Sequence, residues 1–183
     1  MKNTFNELIK YLKNPVLEKD PNQDNSYRFK KFLHLLVISI LTAFIITPLF
    51  ALIEHFGYVD MNTHAMEELI KSMSKLKLFL FVVVAAPLLE ELFFRAPITL
   101  FHRKKYFKLV FYAFAFIFGF IHLSNFEITT NVLILAPILV APQIILGGYL
   151  GFIRVRFGLI WSILLHASYN AFFILMSFAS DFV

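Results

Sequence analysis

The chain contains no cysteine among its 183 residues. This absence excludes disulfide bonds, thiolate metal ligands and a cysteine nucleophile, and it leaves the redox compartment undetermined. Charged residues are also scarce, at 16% of the chain, whereas 59% is hydrophobic and the mean hydropathy is +0.73. Soluble domains are typically about 45–50% apolar. The composition therefore predicts an integral membrane protein, in which the net charge of +5 reflects membrane topology and not nucleic-acid binding.

A secretory signal peptide is not expected, because the first apolar run begins near Phe32, is too long for an h-region and lacks a following cleavage site. Several apolar segments have the length of about 17–25 residues that a spanning helix needs. These predicted spans are Phe32–Leu52, Leu76–Leu100, Phe107–Leu123, Asn131–Ile153 and Leu159–Phe178. The sequence therefore predicts an all-α fold, a polytopic transmembrane helix bundle of about five spans. Gly147 and Gly151 predict close helix packing in the fourth span.

The N-terminal residues 1–31 are polar and basic, and we expect them to form a segment distinct from a transmembrane domain over residues 32–183. A short amphipathic helix is predicted from Phe5 to Leu12, lying on the membrane surface or in water. Another short helix is expected in the polar connection after the first span, with Thr63 as its N-cap.

Lysine and arginine residues are concentrated in alternate loops. They occur in residues 1–31, in the loop at residues 103–105 and at Arg154 and Arg156, whereas the loop after the third span and the C-terminal tail contain none. The positive-inside rule therefore places the N-terminus in the cytoplasm and the C-terminus outside. Lysines of the first outer loop run against this rule, and we expect them to extend to the interface. The sequence predicts a multi-pass protein of the cell membrane.

Three charged residues, Glu90, Glu91 and Arg95, interrupt the second apolar segment. An ionised group at the bilayer centre costs roughly 2.5 kcal/mol or more, so that such residues usually have a function. Glu91 and Arg95 are four residues apart and can pair on one helix face. Glu90 lies about 100° around the helix from Glu91 and is free to face a cavity as a general base. A packing network without chemistry is the alternative.

Histidines occur in two other apolar segments. His122 follows Phe118 by four residues, and His166 precedes Asn170 by four, so each pair shares a helix face. Asn170 could fix the imidazole tautomer or donate to an oxyanion. One glutamate, two imidazoles and an amide on three helices are able to converge on one water molecule.

Two hydrolytic routes are equally compatible with these residues. A zinc ion could be held by Glu90, His122 and His166 with an open fourth position, although the usual H-E-x-x-H motif is absent. Without a metal, Glu90 would take a proton from water, and His122 with Asn170 would stabilise the tetrahedral oxyanion. His166 would orient the water or hydrogen-bond the intermediate. A serine mechanism is a weaker third option, because Ser162 lies four residues before His166 but lacks the G-x-S-x-G context.

The ordered set of motifs resembles a known family. Glu90-Glu91-x-x-x-Arg95, Phe118-x-x-x-His122 and His166-x-x-x-Asn170 follow one another on successive apolar helices. This order is similar to that of the CPBP family, which comprises type II CAAX prenyl endopeptidases and Abi or bacteriocin-processing relatives. The stretch GGYLGFIRVRFGLIWSILLHASYN also looks like the last core segment of that family. The resemblance covers roughly residues 76–178.

The resemblance implies an intramembrane endopeptidase with an all-helical core. It implies that Glu90 is the water-activating base and that His122, His166 and Asn170 complete the site. Relatives are described as metalloproteases or as glutamic proteases, so the family leaves the metal open. Eukaryotic relatives cleave prenylated CAAX tails, whereas some prokaryotic relatives act in bacteriocin maturation or immunity, or as scaffolds.

Three classes of function therefore stay under consideration. The leading hypothesis is a membrane-embedded endopeptidase whose partners are the lipid bilayer and a membrane-associated or lipidated peptide, with no nucleic acid. The second is a non-proteolytic scaffold or bacteriocin-immunity protein. The third is a transporter or proton relay, which would predict paired, interrupted segments in two halves of the chain. The sequence shows no such pairing.

Overall fold

The structure is a computed structural model that describes residues 1–101 and 104–180. Every regular element in those ranges is helical. In chain order the α-helices are α1 (Lys2–Lys13), α2 (Asn25–His55), α3 (Ala65–Ser72), α4 (Lys75–Phe79), α5 (Ala86–Phe94), α6 (Lys104–Ile121), α7 (Thr130–Leu139), α8 (Ala141–Phe157) and α9 (Leu159–Ser180). A π-helix, Leu80–Ala85, joins α4 to α5, and 3-10 helices cover Met61–Thr63, Pro97–Leu100 and His122–Asn125. The predicted all-α bundle is confirmed.

Within the described ranges, four helical stretches are long and apolar enough to cross a membrane. These are Asn25–His55, Lys105–Asn125, Thr130–Phe157 and Leu159–Ala179. They correspond to the first, third, fourth and fifth predicted spans.

The second predicted span, Leu76–Leu100, is not among those four and is built differently. It consists of α4, the π-helix, α5 and a 3-10 helix, and it carries the charges of the first motif. Its path still runs between opposite ends of the bundle. Leu78 shares an apolar cluster with Phe178 near the end of α9, whereas Arg95 and Ala96 contact Arg154 near the end of α8. This segment therefore makes a fifth helical passage.

Glycines let α6 and α8 approach each other closely. A Cβ atom added at Gly151 would lie 2.6 Å from the Phe111 ring, and one at Gly119 would lie 3.1 Å from the Ile144 nitrogen. A side chain at either position would require the Phe111 ring or the α8 backbone to shift. The predicted small-residue packing is thus present, and it fixes α6, which leads to His122, against α8.

The amphipathic helix predicted at Phe5–Leu12 is present as α1, but it does not lie apart from the bundle. Leu8 and Tyr11 are buried in the main core cluster, and the Tyr112 hydroxyl donates to the Leu12 carbonyl oxygen at 2.6 Å. The side of α1 that carries Leu8 and Tyr11 is therefore covered by protein.

The prediction that Thr63 caps the next helix is wrong by one residue. His64 is the N-cap of α3, and its Nδ1 accepts a hydrogen bond from the Met66 amide at 3.2 Å. Asp60 begins a 3-10 turn in which the Thr63 hydroxyl donates to the Asp60 carbonyl oxygen at 2.8 Å. The Thr63 side chain is therefore engaged upstream of α3.

Candidate active site

Glu90, His122 and His166 meet at one point, although they come from three separate segments. The Glu90 Oε2 atom lies 3.9 Å from His122 Nε2 and 3.8 Å from His166 Nε2. The Glu90 side chain is 29% exposed and that of His166 is 4% exposed. The predicted convergence is therefore present, with the carboxylate at the more open side of the cluster.

Hydrogen bonds at Nδ1 set the orientation of both imidazole rings. His122 Nδ1 lies 2.7 Å from the Phe118 carbonyl oxygen, and His166 Nδ1 lies 3.1 Å from Glu91 Oε1. Because both partners only accept hydrogen bonds, each Nδ1 is the donor. Each Nε2 is consequently directed at Glu90.

Glu91 has a different environment from its neighbour Glu90, since it is fully buried. Its Oε2 accepts a hydrogen bond from Ser162 Oγ, and its Oε1 accepts from His166 Nδ1 and lies 3.7 Å from Arg95 Nε. The predicted pairing of Glu91 with Arg95 is therefore present. Glu91 connects that pair to His166 and so holds the ring that faces Glu90.

The Arg95 guanidinium is also buried, and it stacks on an aromatic ring. Its central carbon lies 4.0 Å above the centre of the Phe118 ring. The same ring lies edge-on to His122, with ring centres 4.7 Å apart, and to His166 at 5.9 Å. Phe118 thus packs against both imidazoles and the arginine, and its supporting role in the site stays a prediction.

Arg154 anchors this site, although the sequence suggested only a topological role for it. Its Nε donates to the Arg95 carbonyl oxygen at 2.9 Å, and its second terminal nitrogen donates to Thr99 Oγ1 at 2.7 Å. Arg154 therefore caps the end of the segment that carries both glutamates. Its spacing of seven residues from Gly147, which places both on one face of α8, is the sequence signal that could have revealed it.

Asn170 makes a contact that its spacing from His166 did not suggest. Its Nδ2 donates to the Val82 carbonyl oxygen at 2.9 Å. In the π-helix the Ala86 amide donates to the Phe81 carbonyl oxygen, five residues earlier. By the same pattern, an amide at position 87 would donate to the Val82 carbonyl oxygen. Residue 87 is proline, which has no amide hydrogen. Asn170 supplies the missing donor, and the imidazole tautomer of His166 is set by Glu91.

Ser162 is buried, and its neighbours do not favour the serine mechanism. Its hydroxyl contacts Glu91 Oε2 and lies 3.0 Å from the Leu150 carbonyl oxygen. A hydroxyl held by these two acceptors links α9 to α8 and to Glu91. Its position is that of a structural anchor for the carboxylate.

A family model described as type II CAAX prenyl endopeptidase Rce1-like matches residues 72–172, more than half of the chain. The chain belongs to this family. The matched range contains the three motifs and every residue of the predicted site, from Glu90 to Asn170. Searches of the curated proteins and of the solved structures found no match.

Membership in the CAAX endopeptidase family, together with the apolar helices, identifies a multi-pass membrane protein of an endopeptidase family. A lipid bilayer and a peptide substrate are the partners that this family implies. The predicted protease-like core, residues 76–178, overlaps almost all of the matched range.

The carboxylate oxygen of Glu90 and the two imidazole nitrogens that face it are atom types that bind zinc in proteins. Glu90 Oε2 is buried without a hydrogen-bond partner in the described part of the chain, and both Nε2 atoms face it. The separations of 3.8 and 3.9 Å exceed the roughly 3.4 Å that tetrahedral bonds of about 2.0–2.1 Å would give. Among residues 1–101 and 104–180, no three histidine, aspartate or glutamate side chains are grouped closely enough to hold a metal ion. Zinc binding stays a prediction.

Proposed function

We propose that the protein is an intramembrane endopeptidase that hydrolyses a peptide bond of a membrane-associated or lipidated substrate, with Glu90 activating water. The observation that carries this proposal is the position of Glu90 Oε2, which lies within 4 Å of two imidazole Nε2 atoms and has no hydrogen-bond partner among the residues that the structure describes. A water molecule between these groups can be oriented by His166 Nε2 while Glu90 accepts its proton.

In the proposed reaction, the water oxygen attacks the scissile carbonyl carbon as one of its protons moves to Glu90. The tetrahedral oxyanion is stabilised by His122 and accepts a hydrogen bond from the second Nδ2 hydrogen of Asn170, since the first is held by Val82. The carbon–nitrogen bond then breaks, and Glu90 returns its proton to the leaving amine. If zinc is bound by Glu90, His122 and His166, it would supply Lewis-acid activation of water.

The test uses a fluorogenic peptide with a farnesylated cysteine before its last three residues and the purified protein in lipid vesicles. We expect Glu90→Gln to lower kcat by about 10²–10⁴, because the base is lost. The matched control is Glu68→Gln, at an exposed position outside the site. Full cleavage by Glu90→Gln would contradict the mechanism, whereas a scaffold would keep its cellular role in this variant. Metal analysis and a chelator titration of the same preparation decide between the two routes.

We further propose that the protein crosses the cell membrane with its N-terminus in the cytoplasm. The support is that the N-terminal segment and the basic end of α8 are joined, since the Asp20 amide donates to the Arg156 carbonyl oxygen at 3.1 Å. The chain has no cysteine, so single cysteines can be introduced cleanly. In intact cells, an impermeant maleimide should label Asn62→Cys and leave Lys19→Cys unlabelled. The reverse pattern would contradict this orientation.

A further inference from the structure

One face of α8 is directed at the helix that carries the glutamates. Positions 143, 147, 150 and 154 fall within about 60° of each other around a helix of 100° per residue. A Cβ atom at Gly147 would lie 3.3 Å from an Arg95 guanidinium nitrogen, and the Arg154 side chain bonds to the Arg95 carbonyl oxygen. The Leu150 carbonyl oxygen lies beside Ser162, which contacts Glu91. Three of the four positions therefore face α5 and its partners.

The fourth position of this face is Gln143, one turn before Gly147. The residue after Gln143 shows which part of α6 lies nearby, because the Ile144 backbone packs against Gly119 of α6. The His122 ring turns back to the Phe118 carbonyl oxygen and packs on the Phe118 ring. By its spacing in α8, Gln143 falls on the face toward α5, next to the residue that contacts the neighbour of Phe118.

The Gln143 side chain has unused hydrogen-bonding capacity. Its Oε1 atom is buried and has no hydrogen-bond partner among residues 1–101 and 104–180. Leaving a buried amide oxygen unpaired costs about 1–3 kcal/mol, so that such groups usually have a partner or a function. Nothing in the hydrolytic mechanism above uses this side chain.

We propose that Gln143 binds the main chain of the peptide substrate next to the scissile bond. A primary amide carries an acceptor and two donors, which is the complement of the N–H and C=O groups of a peptide. In this arrangement Oε1 accepts a substrate N–H while the scissile carbonyl lies between Glu90 and His122. The inference rests on the proposed function, since it requires a peptide in the site.

The test combines a near-isosteric variant with a backbone change in the substrate. In the farnesylated peptide, the N–H on either side of the scissile bond is replaced in turn by an ester oxygen, with the scissile amide kept. We expect one of these esters to lower kcat/KM of the wild-type protein about tenfold, the equivalent of one hydrogen bond. In Gln143→Met the same ester should cost less than twofold. The matched control is Gln23→Met, at an exposed position in the N-terminal segment. In this variant the ester should still lower kcat/KM about tenfold.

Equal ester costs in the wild type and Gln143→Met at both positions would overturn the inference. So would a Gln143→Met variant that loses folded yield while it keeps the wild-type ester ratio, because that result describes a structural role. The dissociation constants Kd of the amide peptide and of its two esters are also measured for Glu90→Gln and for the double variant Glu90→Gln with Gln143→Met. If Glu90→Gln still cleaves the peptide, the proposed mechanism is wrong, but the comparison of ester affinities still tests Gln143. If the protein does not bind the peptide at all, both the proposed function and the role of Gln143 are wrong.

Discussion

Glu90 and Glu91 are adjacent in sequence, yet their carboxylates have separate partners. The rotation of about 100° per residue turns Glu91 toward Arg95 and Ser162 and turns Glu90 toward the two imidazole Nε2 atoms. One carboxylate is thereby committed to holding the site together. The other lies at the more exposed side of the site, and its Oε2 atom has no hydrogen-bond partner in the described part of the chain.

The pairing of Glu91 with Arg95 leads to a prediction about stability. Arg95→Met leaves the fully buried Glu91 without its cation, and we expect the free energy of unfolding in detergent to fall by about 3–5 kcal/mol. The double variant Arg95→Met with Glu91→Gln removes both charges and should recover part of this loss.

Thermal or SDS unfolding followed by circular dichroism measures these differences. Lys10→Ala, at an exposed position of α1, is the control for loss of a basic residue and should change little. A double variant that is no more stable than Arg95→Met alone would show that an unpaired buried charge is not the cause.

At the scale of elements, the irregular second passage depends on one side chain from α9. In the π-helix, the Val82 carbonyl oxygen would accept a hydrogen bond from the amide of residue 87, but Pro87 has no amide hydrogen. The Asn170 amide takes that place. As His166 lies one turn earlier on α9, the same helix holds both the π-helix and the ring that faces Glu90.

This arrangement predicts a non-additive pair of substitutions. Asn170→Leu should lower the free energy of unfolding by about 1–3 kcal/mol, because the Val82 carbonyl oxygen loses its donor. In a Pro87→Ala background, residue 87 regains an amide, and the cost of Asn170→Leu should be clearly smaller. The measurement is a double-mutant cycle of unfolding in detergent. Equal costs in the two backgrounds would show that Asn170 does not replace the missing amide.

The parts of this fold and site that depend on helical periodicity could be predicted from the sequence. Four of the five predicted spans follow from apolar length, and the pairing of Glu91 with Arg95 follows from a spacing of four residues. The contacts of Arg154 and Asn170 join residues 59 and 88 positions apart in the chain. Such contacts depend on how helices are placed in three dimensions, which no local pattern specifies. For the same reason, the amphipathic pattern of α1 predicts the helix but not its packing against the bundle through Leu8 and Tyr11.

At the scale of the whole molecule, a charged cluster fastens the N-terminal segment to the end of α8. The buried Asp20 carboxylate lies 3.2 Å from an Arg156 guanidinium nitrogen and 3.6 Å from Lys31 Nζ, and Glu7 also contacts Lys31. The Arg156 guanidinium donates to the Glu18 carbonyl oxygen at 3.2 Å as well. The segment before the first span is therefore part of the folded bundle.

Asp20 predicts a pH dependence of stability. Burial acts to raise the pKa of its carboxyl, but the Asn22 amide and the charges of Arg156 and Lys31 outweigh burial and hold the pKa below its ordinary value of 3.8. A lowered pKa in the folded state contributes stability above the ordinary value, and that contribution is lost as the pH falls through the folded-state pKa.

The thermal midpoint of the wild-type protein should consequently fall more steeply below about pH 4 than that of Asp20→Asn. At neutral pH the variant should be the less stable of the two. Glu127→Gln, exposed and outside the cluster, should follow the wild-type curve. Parallel curves for wild type and Asp20→Asn would contradict a stabilising role for this carboxylate.

The central claim is that Glu90 and His166 act on one water molecule as a unit. The most direct measurement is kcat on the farnesylated peptide for Glu90→Gln, His166→Ala and the double variant, each first shown to be folded. We predict that each single substitution lowers kcat by about 10²–10⁴ and that the double variant is no worse than the poorer single one, because residues of one catalytic unit are non-additive. Losses that multiply in the double variant, or a single variant with wild-type kcat, would contradict the shared site.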